Sequence, residues 1–133
     1  MRPKPDERAL LCQEYYEALM PALRHRAERC GYAIAVHGSL KRDIDLVACP
    51  WRTVSPISAE SLAKELMDVT RAIVGVARHR EGDPQPSKKP WGRLAWSFYL
   101  THDDNGPYID LSVMPMVEEP EPKKKAKRKK GRK

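Results

Sequence analysis

Apolar residues recur early in the chain at steps of three and four. Cys12, Tyr16, Leu19, Leu23, Ala27 and Cys30 fall on one face of a helix. Pro5 suits the start of that helix, Asp6 and Glu7 suit its positive end, and Gly31 is a natural stop. Pro21 interrupts the pattern. An interior proline loses a hydrogen bond and clashes with the preceding turn, which predicts a kink or break near Met20. The period then changes. Tyr32 to His37, YAIAVH, predicts a central strand, and Asp43 to Cys49, DIDLVAC, a second one stopped by Pro50. Trp51 is expected over the edge of the core. Ser58 can cap a helix reaching Val74, whose apolar face is Leu62, Leu66, Val69 and Ile73. Ala77 to Pro90 is charged and proline-rich and predicts a loop, with room for a strand at its start. Two strands follow, Arg93 to Thr101 and Tyr108 to Met114. Between them Asn105-Gly106 predicts a tight hairpin turn, because such a pair supplies the positive φ angles that the turn needs. In the last strand Ile109, Leu111 and Val113 share one face, and Asp110 and Ser112 share the other.

The order helix, strand, strand, helix, strand, strand predicts an α+β domain: a small mixed or antiparallel sheet with helices packed on one face. A length of 133 residues leaves room for one core. Charge divides the chain into residues 1–116, the folded domain, and 117–133, a tail. The tail holds nine of the 25 Lys and Arg and only three of the 18 acids, so it carries most of the net +7. The run Lys123, Lys124, Lys125, Lys127, Arg128, Lys129, Lys130, Arg132 and Lys133 has nothing apolar enough to order it and predicts disorder. It would attract a polyanion such as DNA or RNA in a salt-dependent manner.

Composition narrows the classes further. No run of about 18 apolar residues is present, so no membrane span is expected. The N-terminus turns acidic before any apolar run develops, unlike a secretory signal. A cytoplasmic protein is the expectation. Cys12, Cys30 and Cys49 form no Cys-x-x-Cys pair and read as small apolar fillers. His25, His37, His79 and His102 show no metal-ligand spacing.

The candidate chemistry lies in AVHGSLKRDIDLVACPW, Ala35 to Trp51. Gly38-Ser39 ends a strand at a point where backbone can approach a phosphate. Asp43 and Asp45, spaced by two on a strand, point the same way and can share a cation. Asp110 sits on a later strand in an apolar frame. If that strand lies beside the first, three carboxylates converge, and one or two Mg²⁺ would offset their repulsion. Lys41 and Arg42 add side-chain charge to the turn. Lys88, Lys89 and Arg93 form a second basic cluster within reach of a triphosphate or a nucleic-acid backbone. Trp91 beside them either packs on the core or stacks on a base. His37 stands at the mouth of the site, where a structural role is expected.

His37-Gly38-Ser39 followed by Asp43-Ile44-Asp45-Leu46 resembles the signature of the DNA polymerase beta-like nucleotidyltransferase superfamily. The fuller pattern, with the later YIDLSVMP, also resembles small proteins of tailed-phage and bacterial genomes described as nucleotidyltransferase-like. The resemblance covers about residues 32 to 51 closely and 108 to 114 by analogy. It implies Mg²⁺ on Asp43, Asp45 and Asp110 and a nucleoside triphosphate at Gly38 and Ser39, where Lys41, Arg42 and Arg93 of this chain would add side-chain charge. It implies transfer of a nucleoside monophosphate to an acceptor, in the cytoplasm of a bacterial or phage-infected cell. The alternative is a catalytically inactive module of the same fold that binds nucleic acid through its tail. Only Leu40-Lys41-Arg42 separate Gly38-Ser39 from Asp43, so the connection is expected to be a hairpin and not the helix of most family members.

Overall fold

The computed structural model describes residues 4–51, 56–80, 82 and 84–116. The tail from residue 117 onward, with its nine basic residues, lies outside the described residues. The elements are α1 (Pro5–Arg29), β1 (Tyr32–His37), β2 (Ile44–Pro50), α2 (Ala59–Val74), β3 (Arg78–His79), β4 (Ser87–Lys88), β5 (Leu94–Tyr99) and β6 (Tyr108–Val113). A short 3-10 turn, Pro90–Gly92, precedes β5. The sheet is mixed, with strand order β1-β2-β6-β5-β3, and β4 shares the outer edge of β5 with β3. Among the described residues the one parallel pair is β2 with β6. The expected α+β architecture is therefore the observed one.

Both helices lie on one face of the sheet. Period-two alternation turns Ile44, Leu46 and Ala48 of β2 and Ile109, Leu111 and Val113 of β6 toward them. Trp96 and Phe98 of β5 join that face. Leu19, Leu23 and Ala27 of α1 and Leu62 and Leu66 of α2 close the core. Each fully buried Leu or Ile contributes about 1.5–3 kcal/mol.

That magnitude explains why α1 runs unbroken through Pro21. Of the kink or break expected near Met20, the break does not occur. An interior proline costs about 3 kcal/mol, whereas Leu19, Met20 and Leu23 on either side of it are all essentially buried. Pro21 itself faces solvent. Helix α2 is capped as expected: Ser58 Oγ accepts from the Ser61 N–H at 3.1 Å, and Gly75 closes the far end at φ 91°. Ile73, expected on the buried face, is 44 % exposed, and its neighbour Val74 packs against the core in its place. Trp51 is also more exposed than expected, at 53 %.

The β5–β6 connection corrects a second expectation. Neither Asn105 nor Gly106 has a positive φ, so no tight Asn-Gly turn forms. Pro107 follows Gly106 and restricts its backbone toward extended conformations. The chain instead makes a longer loop. Thr101 Oγ1 donates to the Asp103 carbonyl at 2.8 Å, and the Asn105 N–H donates to Asp103 Oδ1 at 2.9 Å. Among the described residues, no helix is long and apolar enough to cross a membrane.

Candidate functional site: a polar row on the open face of the sheet

With the helices on one face, the other face of the sheet carries the polar alternates. Strand register lines them up. His37 on β1 pairs with Asp45 on β2, Asp45 with Asp110 on β6, and Asp110 with Ser97 on β5. Directly paired residues point to the same face, so four polar side chains form one row across four strands. Asp45 and Asp110 are immediate neighbours in the parallel pair. Partial burial pushes the Asp45 carboxyl above its ordinary range, the Asp110 charge pushes it further, and His37 pulls it back. Ser97 Oγ donates to Asp110 Oδ1 at 3.3 Å.

The turn between β1 and β2 shapes the other end of the row. It is a hairpin, as expected from its length, since β1 and β2 are antiparallel. Gly38 at φ 82° and Leu40 at φ 61° both occupy the left-handed region. Leu40 packs against the core and thereby turns Ser39, Lys41 and Arg42 outward. Gly38 has a second reason to be glycine: a Cβ there would stand 2.7 Å from Asp45 Oδ2. The absent side chain is the space into which the Asp45 carboxylate fits.

Gly38→Ala therefore meets two obstacles. Left-handed backbone costs a residue with a Cβ on the order of 1–2 kcal/mol, and the Asp45 carboxylate must also move aside. The expected loss of stability is about 2–3 kcal/mol by denaturant unfolding. In an Asp45→Gly background the steric part disappears, so the two substitutions should be non-additive. Additive losses would show that Gly38 is needed for its φ alone.

Asp43, expected to converge with the other two acids, is held by a different partner. Arg8, in the first turn of α1, donates from Nη2 to Asp43 Oδ1 at 3.0 Å. The same guanidinium donates to the Arg42 carbonyl at 2.8 Å, the Asn105 carbonyl at 2.8 Å and the Gly106 carbonyl at 3.2 Å. It ties α1, the hairpin turn and the β5–β6 loop together. Among the described residues, no group of three or more His, Cys, Asp or Glu side chains is placed to hold a metal ion. Asp45 and Asp110, adjacent in register, are the two acids that could hold Mg²⁺, which commonly takes one or two carboxylates and fills its other positions with water and phosphate oxygens.

Beside Asp43 lies an aromatic and basic cleft of ≈ 680 Å³, lined in part by Ser39, Lys41, Arg42, Arg80, Tyr99 and Tyr108. Tyr99 and Tyr108 meet edge to face at 5.9 Å. Arg80 lies 4.4 Å over the Tyr108 ring and donates to its hydroxyl at 3.2 Å. Burial and the Asp43 charge push the Tyr108 phenol above its ordinary range. A second cleft of ≈ 350 Å³ lies over Asp110 and Ser97 and reaches Ser87 and Lys89.

Ser39, Lys41 and Arg42 thus share one cleft, at the same turn as Gly38. Arg93 is not at that turn. Its Nη1 donates to Ser112 Oγ at 3.0 Å, two residues beyond Asp110 and away from Gly38. Trp91 does not pack on the core. It is 90 % exposed at φ 68°, in a turn closed by the Lys89 N–H donating to the Arg93 carbonyl at 2.8 Å. That reversal throws the indole outward. Cys12 is a buried filler as expected, and its thiol is raised to about 11 by burial and the nearby Asp43 charge. Cys49 is exposed.

Sequence reasoning missed Arg8 and Ser97. The available signal for Arg8 was its position: a cation in the first turn opposes the helix dipole and needs another reason to be there. Ser97 carried no signal until register was known. No family model, no curated protein and no solved structure matches the chain.

Proposed function

We propose that the chain is a nucleotidyltransferase that moves a nucleoside monophosphate from a nucleoside triphosphate to an acceptor hydroxyl. The observation that carries this reading is the parallel register of Asp45 with Asp110, which sets two carboxylates side by side next to a basic, glycine-containing turn. The triphosphate lies in the cleft over that turn. Ser39 donates a hydroxyl to it, and Lys41, Arg42 and Arg80 supply positive charge. The edge-to-face pair Tyr99–Tyr108 offers an aromatic wall for the base. Asp45 and Asp110 are the residues that would hold Mg²⁺, which when bound would steady the triphosphate charge and lower the pKa of the attacking hydroxyl. The acceptor oxygen forms a bond to the α-phosphorus, the bond from that phosphorus to the bridging oxygen breaks, and pyrophosphate leaves. Ser97 orients Asp110 through Oδ1, and the other oxygen of Asp110 takes the proton of the acceptor. The reaction belongs in the cytoplasm, where nucleoside triphosphates and Mg²⁺ are abundant.

The test is incorporation of label from α-labelled nucleoside triphosphates, with an oligonucleotide and the chain itself as acceptors. Incorporation should require Mg²⁺ and be lost in Asp110→Asn. Equal labelling by wild type and variant would reject the proposal.

A second reading is favoured by Arg8. Its ion pair with Asp43 commits one of the three acids, as expected of a catalytically idle module that keeps the fold and binds nucleic acid through Lys123 to Lys133. That module would bind nucleic acid without Mg²⁺ and lose binding when the tail is removed.

A further inference from the structure

We propose that the folded domain itself holds a single-stranded nucleic acid, with Lys88 and Lys89 on its phosphates and the Trp91 indole stacked on a base. As the identity of the acceptor, this rests on the nucleotidyl-transfer reading; as a binding site, it stands apart from it. Among the described residues Trp91 is the most exposed of the large apolar side chains, at 90 %. Left-handed backbone is uncommon for a bulky residue and persists where the surroundings enforce it. Here the enforcement is visible. The Lys89–Arg93 backbone bond closes the turn at 2.8 Å, and Gly92 abuts Pro115, where a Cβ would sit 3.4 Å from Cγ. A formed turn therefore presents a bare indole, and among the described residues no ring or hydrogen-bond partner meets it.

The surroundings specify the occupant. Lys88 and Lys89 are exposed, and no carboxylate of the described residues pairs with them. From Lys89 the ≈ 350 Å³ cleft leads past Ser87 and Arg80 to Ser97 and Asp110. A strand lying on the lysines thus points one end at the carboxylate pair. Lysines that track phosphates together with an aromatic platform for a base are the recognition chemistry of single strands. A duplex keeps its bases stacked on each other and offers the indole no free base face. A protein partner would need a broad apolar surface, and the cleft walls are mainly polar, with Pro86, Ala95 and Trp96 as their apolar members.

The test uses the full chain, without nucleotide and with EDTA, so loss of transfer activity leaves the result untouched. Fluorescein-labelled single strands of DNA and of RNA, about 12 nucleotides long, are titrated at about 0.3 M salt, which weakens the contribution of the basic tail. Trp91→Ala should weaken binding of the preferred single strand about tenfold. Trp91→Phe should recover most of the loss, and duplex binding should not change. Trp91→Gly should bind as weakly as Trp91→Ala while its melting temperature stays the same or rises, since glycine accepts φ 68° without strain. Binding by Trp91→Ala equal to wild type, or a duplex competing as well as a single strand, would overturn the proposal.

Discussion

Asp45→Asn is expected to abolish nucleotidyl transfer and, at the same time, to stabilise the metal-free protein at neutral pH. The first effect follows from charge. A carboxylate that holds Mg²⁺ against a triphosphate supplies several kcal/mol of charge stabilisation, so its loss should lower the rate by about two orders of magnitude or more. The second follows from the raised Asp45 carboxyl, which burial and Asp110 hold above its ordinary range. The unfolded chain gives up that proton at lower pH than the folded one. Stability tied to the proton is fully present below the ordinary value, near 4, and is lost as pH rises through the folded value. Rising pH therefore costs the wild type stability. Asparagine carries no charge, so Asp45→Asn should match the wild type near pH 3 and melt increasingly higher than it as pH rises. Mg²⁺ should raise the melting temperature of the wild type and not of the variant. A variant that is inactive and also less stable at neutral pH would mean that Asp45 serves the fold, not a metal. Gly38 supports the first alternative, because the chain places a left-handed glycine where Asp45 Oδ2 needs room.

Much of this face could be read from the chain before its structure. Asp45 and Asp110 each stand between apolar neighbours, Ile44 with Leu46 and Ile109 with Leu111, all buried. Period-two alternation then required both acids to face away from the helices. What alternation could not supply is the pairing of strands. That Asp110 stands beside Asp45, and Ser97 beside Asp110, depends on β6 entering between β2 and β5, and no local pattern encodes that choice. The same limit hid Arg8, whose partners Asp43 and Asn105 are 35 and 97 residues away in the chain. Local signals also failed where a neighbour overrode them. Pro107 cancels the turn preference of Asn105-Gly106, and the buried side chains around Pro21 outweigh its cost to the helix. For Trp91 the sequence allows both a core position and an outward one, and only the backbone reversal at Pro90–Gly92 decides for the outward one.

Arg8→Ala should be among the most destabilising single substitutions outside the core. The ion pair with Asp43 is largely shielded, with side chains 14 % and 18 % exposed. Removing one member of such a pair leaves the other desolvated and uncompensated, which costs about 3–5 kcal/mol when burial is complete. Partial exposure lowers that figure. Three further bonds, to the carbonyls of Arg42, Asn105 and Gly106, raise it again, since bonds from a charged donor are worth about 1.5–3 kcal/mol each and do not simply add. The expected net loss is about 3 kcal/mol, a large share of the 5–15 kcal/mol typical of a whole domain. At about 4–6 °C per kcal/mol the melting temperature should fall by roughly 10–20 °C. Arg8→Lys should recover less than half, because an ammonium is a point charge and cannot span an acid and three carbonyls from one position. The double variant Arg8→Ala with Asp43→Asn should be more stable than Arg8→Ala alone, because no orphaned carboxylate remains. If Arg8→Ala melts within about 2 °C of wild type, a shift worth under 1 kcal/mol, the guanidinium is not the clamp that joins α1 to the hairpin turn and the β5–β6 loop. If the double variant is the less stable one, Asp43 holds the turn by a contact other than Arg8. The Tyr108 phenol is the next group to test, since it lies within the field of the same carboxylate.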